Sequence, residues 1–321
     1  MRPLLVFAAS MLASVLLYLG VFSAVQRPLT LDSMAPLIER KLAHAQALPA
    51  PRLLLLAGSN GRYSHRCQAL QAATGWPCSN LSLAVGLGLD FQLQWIEPLL
   101  KAGDVLYLPL EYSQYAVSQD EMESGAENTL LVHHFRQALW SLPAPRIARA
   151  YGSFDLPFLT HGLLEMALSR AGFQMRNGAD ALTPEGDARG HTAVAGLAYT
   201  AYLRSVKFDN TPLPLQSHAL EVVDAFLARA AQRSVRVIGG LPTTPDSAVL
   251  DDAGIQRLRN LFARHDHGFL VLPSRSQYPL SCFFDTLYHL NEPCQLQHSR
   301  AVGMALLPLL PQRLSGPTDA R

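Results

Sequence analysis

Five short apolar runs punctuate the chain, with segments of helical periodicity between them. The first, residues 53–56, is four consecutive leucines that break at Ala57-Gly58-Ser59-Asn60-Gly61. An apolar run bounded in this way predicts a buried strand ending in a tight turn, with a helix following over about 62–73. Residues 78–83 (CSNLSL) predict a second strand, ending in a turn with Gly86 and Gly88, and then a helix over roughly 89–101 that Pro98 should kink or shorten. Residues 104–112 (DVLYLPLEY) alternate towards a third strand, and residues 235–241 and 269–272 predict the fourth and fifth. Helices are expected over 217–232, where Leu220, Val223, Phe226, Leu227 and Ala230 share one face behind a Ser217 cap, and over about 251–264 and 296–310. This alternation predicts an α/β fold with a doubly wound parallel sheet and right-handed crossovers. Between 116 and 215 the rhythm is lost, with short helical stretches near 128–142 and 160–171, and the segment is expected to be an insertion over the sheet's carboxyl edge. The closing SGPTDAR is expected to fray.

Residues 3–25 carry no charge and are long enough, at 1.5 Å per residue, to cross a bilayer core of ~30 Å. They predict a transmembrane anchor over 1–25. A cleavable signal peptide is the rival, but its apolar region is normally about 7–15 residues with a small-x-small site. A cut after Ala24 would put Phe22 at the −3 position, and a cut after Ser23 would put Val21 there. Arg2 precedes the segment and Arg27, Arg40 and Lys41 follow it, which does not decide orientation. Residues 26–50 are expected to be a tether containing a short helix with Leu37, Ile38 and Leu42 at helical spacing, closed by Pro49 and Pro51. The α/β domain is then 51–321.

The formal net charge of +1, with 16% of residues charged, offers no polyanion-binding surface, so nucleic acid is not an expected partner. The four cysteines fall into two local pairs, Cys67 with Cys78 and Cys282 with Cys294, neither at the CxxC spacing of zinc or redox sites. Two disulfides would fit an oxidising compartment; four unrelated buried thiols are the alternative.

Three predicted turns converge at the carboxyl ends of strands, where open α/β sheets bind ligands. They carry Ser59, the Gly86/Gly88 pair and the stretch from Asp285 to His289. A serine hydroxyl becomes a nucleophile when a base takes its proton, and a histidine base needs a carboxylate to hold its tautomer. Ser59, His289 and Asp285 supply those three types, and the backbone N–H groups of Ser59 and Gly86 could form an oxyanion hole. An ordinary strand-to-helix turn capped by Ser59 or Asn60 is the plain alternative.

Adjacent His133 and His134 lack a third ligand and point apart on a helix, so no metal site is expected there. His265 and His267 are expected to favour a helix dipole, and Trp76 and Trp95 to be core. Tyr112, Gln114 and Tyr115 are candidate sugar contacts at a strand end.

With these residues in place the chain resembles the SGNH/GDSL hydrolase superfamily, especially its membrane-anchored branch associated with envelope polysaccharides. Ala57-Gly58-Ser59-Asn60 is similar to the nucleophile block, Asn80 with Gly86 to the second block, and Asp285 with His289 to the last. The resemblance spans about 52–310 and implies a three-layer fold of flavodoxin-like type. It implies an esterase or O-acyltransferase acting on acyl esters of a polysaccharide, without cofactor or metal, on the periplasmic side of a bacterial inner membrane, alongside other polysaccharide-assembly proteins. Asn60, Asn80, Glu111, Tyr112 and Gln114 become candidate substrate contacts. Three departures stand out. The acid and base are four residues apart rather than three, which on a helix would still share a face. The third block's asparagine is missing, leaving Glu111 and Gln114 as the polar candidates there. A shifted register would place Asn60 at the nucleophile position. The alternative function is a catalytically inactive glycan-binding or assembly partner derived from the same fold.

Overall fold

The computed structural model describes residues 2–25, 27–123, 128–133, 135, 139–140, 142–173 and 178–311. His134 and the closing SGPTDAR lie outside the described residues. The chain forms two compact units, one from Met1–Arg40, Val85–Pro98 and Val117–Leu182, the other from Lys41–Ala84, Leu99–Ala116 and Thr183–Arg321.

The second unit holds a parallel sheet in which β1 (Leu53–Leu55), β2 (Cys78–Asn80), β3 (Val105–Leu108), β4 (Arg236–Gly240) and β6 (Gly268–Leu270) lie in the order β2-β1-β3-β4-β6. All five predicted strands are present and all are shorter than expected, the fifth starting one residue earlier, at Gly268. The chain steps outward from β1 to β2 and then returns past β1 to β3, so the sheet's topological switch point lies between β1 and β3. Short β5 (Thr244–Pro245) and β7 (Gln277–Tyr278) make a separate two-stranded parallel pair that the sequence pattern did not predict.

Alternation along the strands builds the core. Leu53 and Leu55 of β1, Val105 and Tyr107 of β3 and Ile238 of β4 pack with Leu70, Trp76, Val302 and Leu306. The Cys67–Thr74 and Glu292–Leu306 helices supply that covering layer, and Gly303 is needed where they approach: a Cβ there would lie 2.6 Å from the Ala73 methyl. On the neighbouring pleat position, Gly239 faces Phe262 of the Asp252–Ala263 helix. Trp95, in the first unit, is also buried. At the start of β1 and β3 a fully buried ion pair ties the strands: Arg52 donates from Nη2 to Asp104 Oδ2 at 2.5 Å and also reaches the Ala45 and Leu99 carbonyls, at 2.6 Å each.

Several expectations are corrected. The helix over 62–73 is two helices, Ser59–Ser64 and Cys67–Thr74, broken at His65-Arg66. The segment expected to be a tether with a short helix is a 20-residue helix, Pro28–Ala47, with Ile38, Lys41 and Ala45 fully buried. Lys41 donates from Nζ to the carbonyls of Asn80 and Gly186, at 2.6 and 2.5 Å, and burial pulls its pKa well down. Residues 183–215 of the expected insertion belong to the sheet's unit; Glu185 accepts from Asn80 N–H and Ala188 donates to the Arg62 carbonyl. The last helix begins at Glu292, capped by Asn291, rather than near 296. His267 bridges two elements instead of serving a helix dipole, accepting from Val237 N–H at Nδ1 and donating from Nε2 to the Leu227 carbonyl. Both cysteine pairs are disulfides, Cys67–Cys78 and Cys282–Cys294.

The first unit carries the N-terminal Arg2–Ala24 helix, apolar and long enough to span a membrane, with mean hydropathy 2.3 and no buried residue. Its far end meets the Ala144–Gly152 and Leu156–Arg170 helices. Tyr18 donates its hydroxyl to the Tyr151 and Phe154 carbonyls at 3.0 and 2.9 Å, and Phe22 stacks on Phe154. The predicted helix over 89–101 is Leu89–Ile96 plus a 3-10 turn carrying Pro98, as expected of that proline.

Candidate active site

The turn after β1 is organised by backbone contacts. Gln114, beyond β3, accepts at Oε1 from both Gly58 N–H, at 3.2 Å, and Glu111 N–H, at 3.0 Å, which fixes the ends of β1 and β3 against each other. Gly61 is packed so closely that a Cβ would fall 2.8 Å from both Ala57 Cβ and Ser82 Cβ. The Ser59–Ser64 helix therefore starts at a defined angle, with Ser59 in its first turn.

From that position Ser59 Oγ lies 2.8 Å from His289 Nε2, and His289 Nδ1 lies 2.6 Å from Asp285 Oδ1. A carboxylate accepts only, so Asp285 accepts the hydrogen bond from Nδ1–H, which keeps the proton on Nδ1 and leaves the Nε2 lone pair facing the serine hydroxyl. His289 is buried and Asp285 partly exposed. The acid and base do not share a helix face, as their spacing had suggested. They sit on an irregular loop closed by the Phe283–Leu290 bridge and by the Cys282–Cys294 disulfide. The same short helix grips that loop at its other end: Ser64 Oγ donates to the Tyr288 carbonyl at 2.9 Å, and Thr243 donates to the same oxygen at 2.8 Å.

The other sequence candidates have different placements. Asn60 is fully buried; its Nδ2 donates to the Pro109 carbonyl at 2.8 Å and its N–H to Glu111 Oε1 at 3.4 Å, so Ser59 and not Asn60 faces the imidazole. Asn80 is also fully buried, donating to the Gly61 carbonyl and Asp187 Oδ1. Burial raises Asp187, and raises Glu111 to about 7. Gln114 is buried, with its Nε2 unpartnered. Tyr112 is half-buried with its hydroxyl unpartnered, and burial raises that phenol's pKa. Tyr115 is core. Asn60, Asn80, Glu111 and Gln114 thus have side chains engaged in framework bonds. Gly86 belongs to the first unit, as the exposed centre of the 3-10 turn Val85–Leu87.

Sequence reasoning missed the residues around the imidazole. Tyr63 stacks on His289 with ring centroids 4.3 Å apart and planes 14° from parallel, and Phe284 and His191 pack on Tyr63 in turn. Arg62 holds its guanidinium carbon 5.2 Å from the Tyr63 ring centroid, within cation–π range. Its Nε is buried without a partner, and among the described residues no carboxylate pairs with it. Asp285 and Tyr63 partly offset the pKa lowering that burial imposes on it. His191 is 1% exposed with both ring nitrogens unpartnered, and burial lowers its pKa to about 4, so the ring is neutral at pH 7. Arg62 and Tyr63 stand three and four residues after Ser59, the spacing that puts side chains on one helix face, and that was the available signal. Among the described residues no group of three His, Cys, Asp or Glu side chains could hold a metal ion.

Fold and site together define a parallel α/β protein with a hydrogen-bonded Ser–His–Asp chain at the carboxyl end of its first strand. No protein-family model matches the chain, and no curated protein matches it.

Proposed function

We propose that the chain is a membrane-anchored serine esterase or O-acyltransferase of SGNH type, with a three-layer domain on the periplasmic side of a bacterial inner membrane. Its substrate is an acyl ester, acetyl foremost, of an envelope or exported polysaccharide. The observation that carries this reading is the Ser59–His289–Asp285 relay, with hydrogen bonds of 2.8 and 2.6 Å. The apolar N-terminal helix and the two disulfides support the location.

In the proposed reaction Ser59 Oγ bonds to the acyl carbon while its proton passes to His289 Nε2, and Asp285 stabilises the imidazolium. The carbonyl oxygen takes the electron pair, with the Ser59 N–H as donor. Collapse expels the sugar oxygen, which receives the proton from His289. Water or a second hydroxyl then takes the acyl group, giving its proton to His289 and restoring Ser59. The half-buried Arg62 guanidinium beside this relay, with its Nε buried and unpartnered, favours a substrate that brings its own carboxylate, because a buried donor left unpaired is costly.

Labelling of the full-length protein in detergent by a fluorophosphonate probe tests the relay. Wild type should label, and Ser59→Ala and His289→Ala should abolish it. A folded wild type that does not label refutes catalysis and turns attention to glycan binding. For the carboxylate, an O-acetylated uronic acid should be preferred over the matching O-acetylated neutral sugar, and Arg62→Gln should erase that preference while turnover of the neutral ester persists. Equal loss on both esters would instead make Arg62 a tuner of the relay.

A further inference from the structure

The Leu156–Arg170 helix is unusual for a water-exposed element. Leu156, Leu163 and Leu164 are 70, 51 and 57% exposed, and Ala167 is exposed beside them. At 100° per residue these four fall within an arc of about 100°, as wide as the buried stripe of an ordinary amphipathic helix; Thr160 is the one polar residue in it, its hydroxyl donating to the Pro157 carbonyl. Phe158 and Gly162, on the opposite side, are the buried ones. The helix's own charges leave that arc free. Glu165 pairs with Arg27 at 3.0 Å, and Arg170 is its last residue. An apolar face of this kind calls for a cover.

The contacts with the N-terminal helix say what the cover is. That helix has 23 residues, and a bilayer core of ~30 Å takes about 20, so Tyr18 and Phe22, in its last two turns, stand at the headgroup boundary where aromatic residues concentrate. Tyr18 is bonded to the Tyr151 and Phe154 carbonyls, and Phe22 lies against Phe154 and Phe158. The start of the Leu156–Arg170 helix is therefore fixed at the same depth. Farther along it, Glu165 is held by Arg27, just beyond the end of the apolar segment. We infer that the Leu156/Leu163/Leu164 face lies in the lipid–water interface beside the anchor, as a second and monotopic membrane contact. Leu156 is the deepest of the three, and Leu163 and Leu164 sit at headgroup level.

All four cysteines are in disulfides, so a single introduced cysteine is the one free thiol for labelling. Full-length Leu156→Cys, Leu164→Cys and Arg259→Cys, each carrying an environment-sensitive fluorophore, would be reconstituted into phosphatidylcholine–phosphatidylglycerol vesicles. Residue 259, exposed on the Asp252–Ala263 helix of the sheet's unit, is the reference position for water. The expected result is strong quenching of the Leu156 label by doxyl lipid, weaker quenching at Leu164 and none at Arg259, with iodide quenching in the reverse order. Labels at 156 and 164 as open to iodide as the one at 259 would overturn the inference. Protection from iodide without quenching by lipid would also overturn it, because a protein surface, such as a second copy, would then be the cover. Protein that fails to float with the vesicles would refute the anchor itself, on which this inference rests.

Discussion

Replacing Cys282 and Cys294 together by serine opens the loop that carries both Asp285 and His289. The bridge closes a sequence separation of 12, for which the chain-entropy relation gives about 3 kcal/mol of stabilisation. For a protein of 321 residues that is a fall of roughly 4–5 °C in Tm. The sheet core of Leu53, Leu55, Val105 and Tyr107 does not depend on the bridge, so far-UV circular dichroism at 20 °C should be unchanged. The loop would keep the grip of Ser64 and Thr243 on the Tyr288 carbonyl and the Phe283–Leu290 bridge, but one end would be free. A displacement of about 1 Å in a reacting group costs on the order of 100-fold, and that is the expected loss in fluorophosphonate labelling rate. Cys67→Ser with Cys78→Ser is the matched control: its separation of 11 predicts a similar fall in Tm, with labelling close to wild type. If the 282/294 variant melts early yet labels at the wild-type rate, the bridge does not position the acid and base. Parallel loss of secondary structure and labelling would refute the reasoning equally.

Asp104→Ala should cost about 3–5 kcal/mol in a urea titration, because it leaves the fully buried Arg52 charge without its partner; a loss below 1 kcal/mol would refute the pairing. Gly61→Ala should cost about 1–3 kcal/mol and slow labelling, since the added methyl meets Ala57 and Ser82 and must tilt the Ser59 helix; unchanged labelling would show that the turn absorbs it. Burial raises Glu111 from 4.5 to about 7, so between those values the native state keeps a proton the unfolded chain has released. Its contribution is full below pH 4.5 and is lost as the pH rises through 7. Glu111→Gln should therefore flatten the stability profile across that window in thermal melts, and an unaltered decline would refute the assignment. His191 and His298, lowered by burial to about 4 and 3, act in the opposite sense: their contribution is full above pH 6.5 and is lost as the pH falls through those values. His298→Gln should reduce the loss of stability on acidification, read from the same melts.

The strand pattern was legible because each strand is a run of apolar residues whose burial needs no knowledge of its neighbours. The leucines of β1 and the Gly-Ser-Asn break after them pointed to Ser59 for the same local reason. Features set by distant partners were not legible. The break at His65-Arg66 follows from contacts with the last helix, where Gln295 donates to the His65 carbonyl and Ser299 accepts from Arg66 N–H. Asn60 and Asn80 look like surface polar residues in a turn, yet they carry buried bonds to Pro109, Gly61 and Asp187. The four-residue spacing of Asp285 and His289 suggested a helix, whereas a disulfide and two threonine and serine hydroxyls shape that loop instead.

Ser59 and His289 are 230 residues apart in the chain, and among the described residues no imidazole nearer in sequence bonds the serine hydroxyl. During synthesis the hydroxyl therefore has no imidazole beside it until nearly the whole domain has emerged, and the loop carrying His289 gains its covalent brace, on top of its bonds to Ser64 and Thr243, once Cys282 meets Cys294 under oxidising conditions. Order of emergence thus acts as a built-in safety catch: a chain still being synthesised lacks the finished Ser59–His289–Asp285 hydrogen-bond chain, whatever reaction that chain serves.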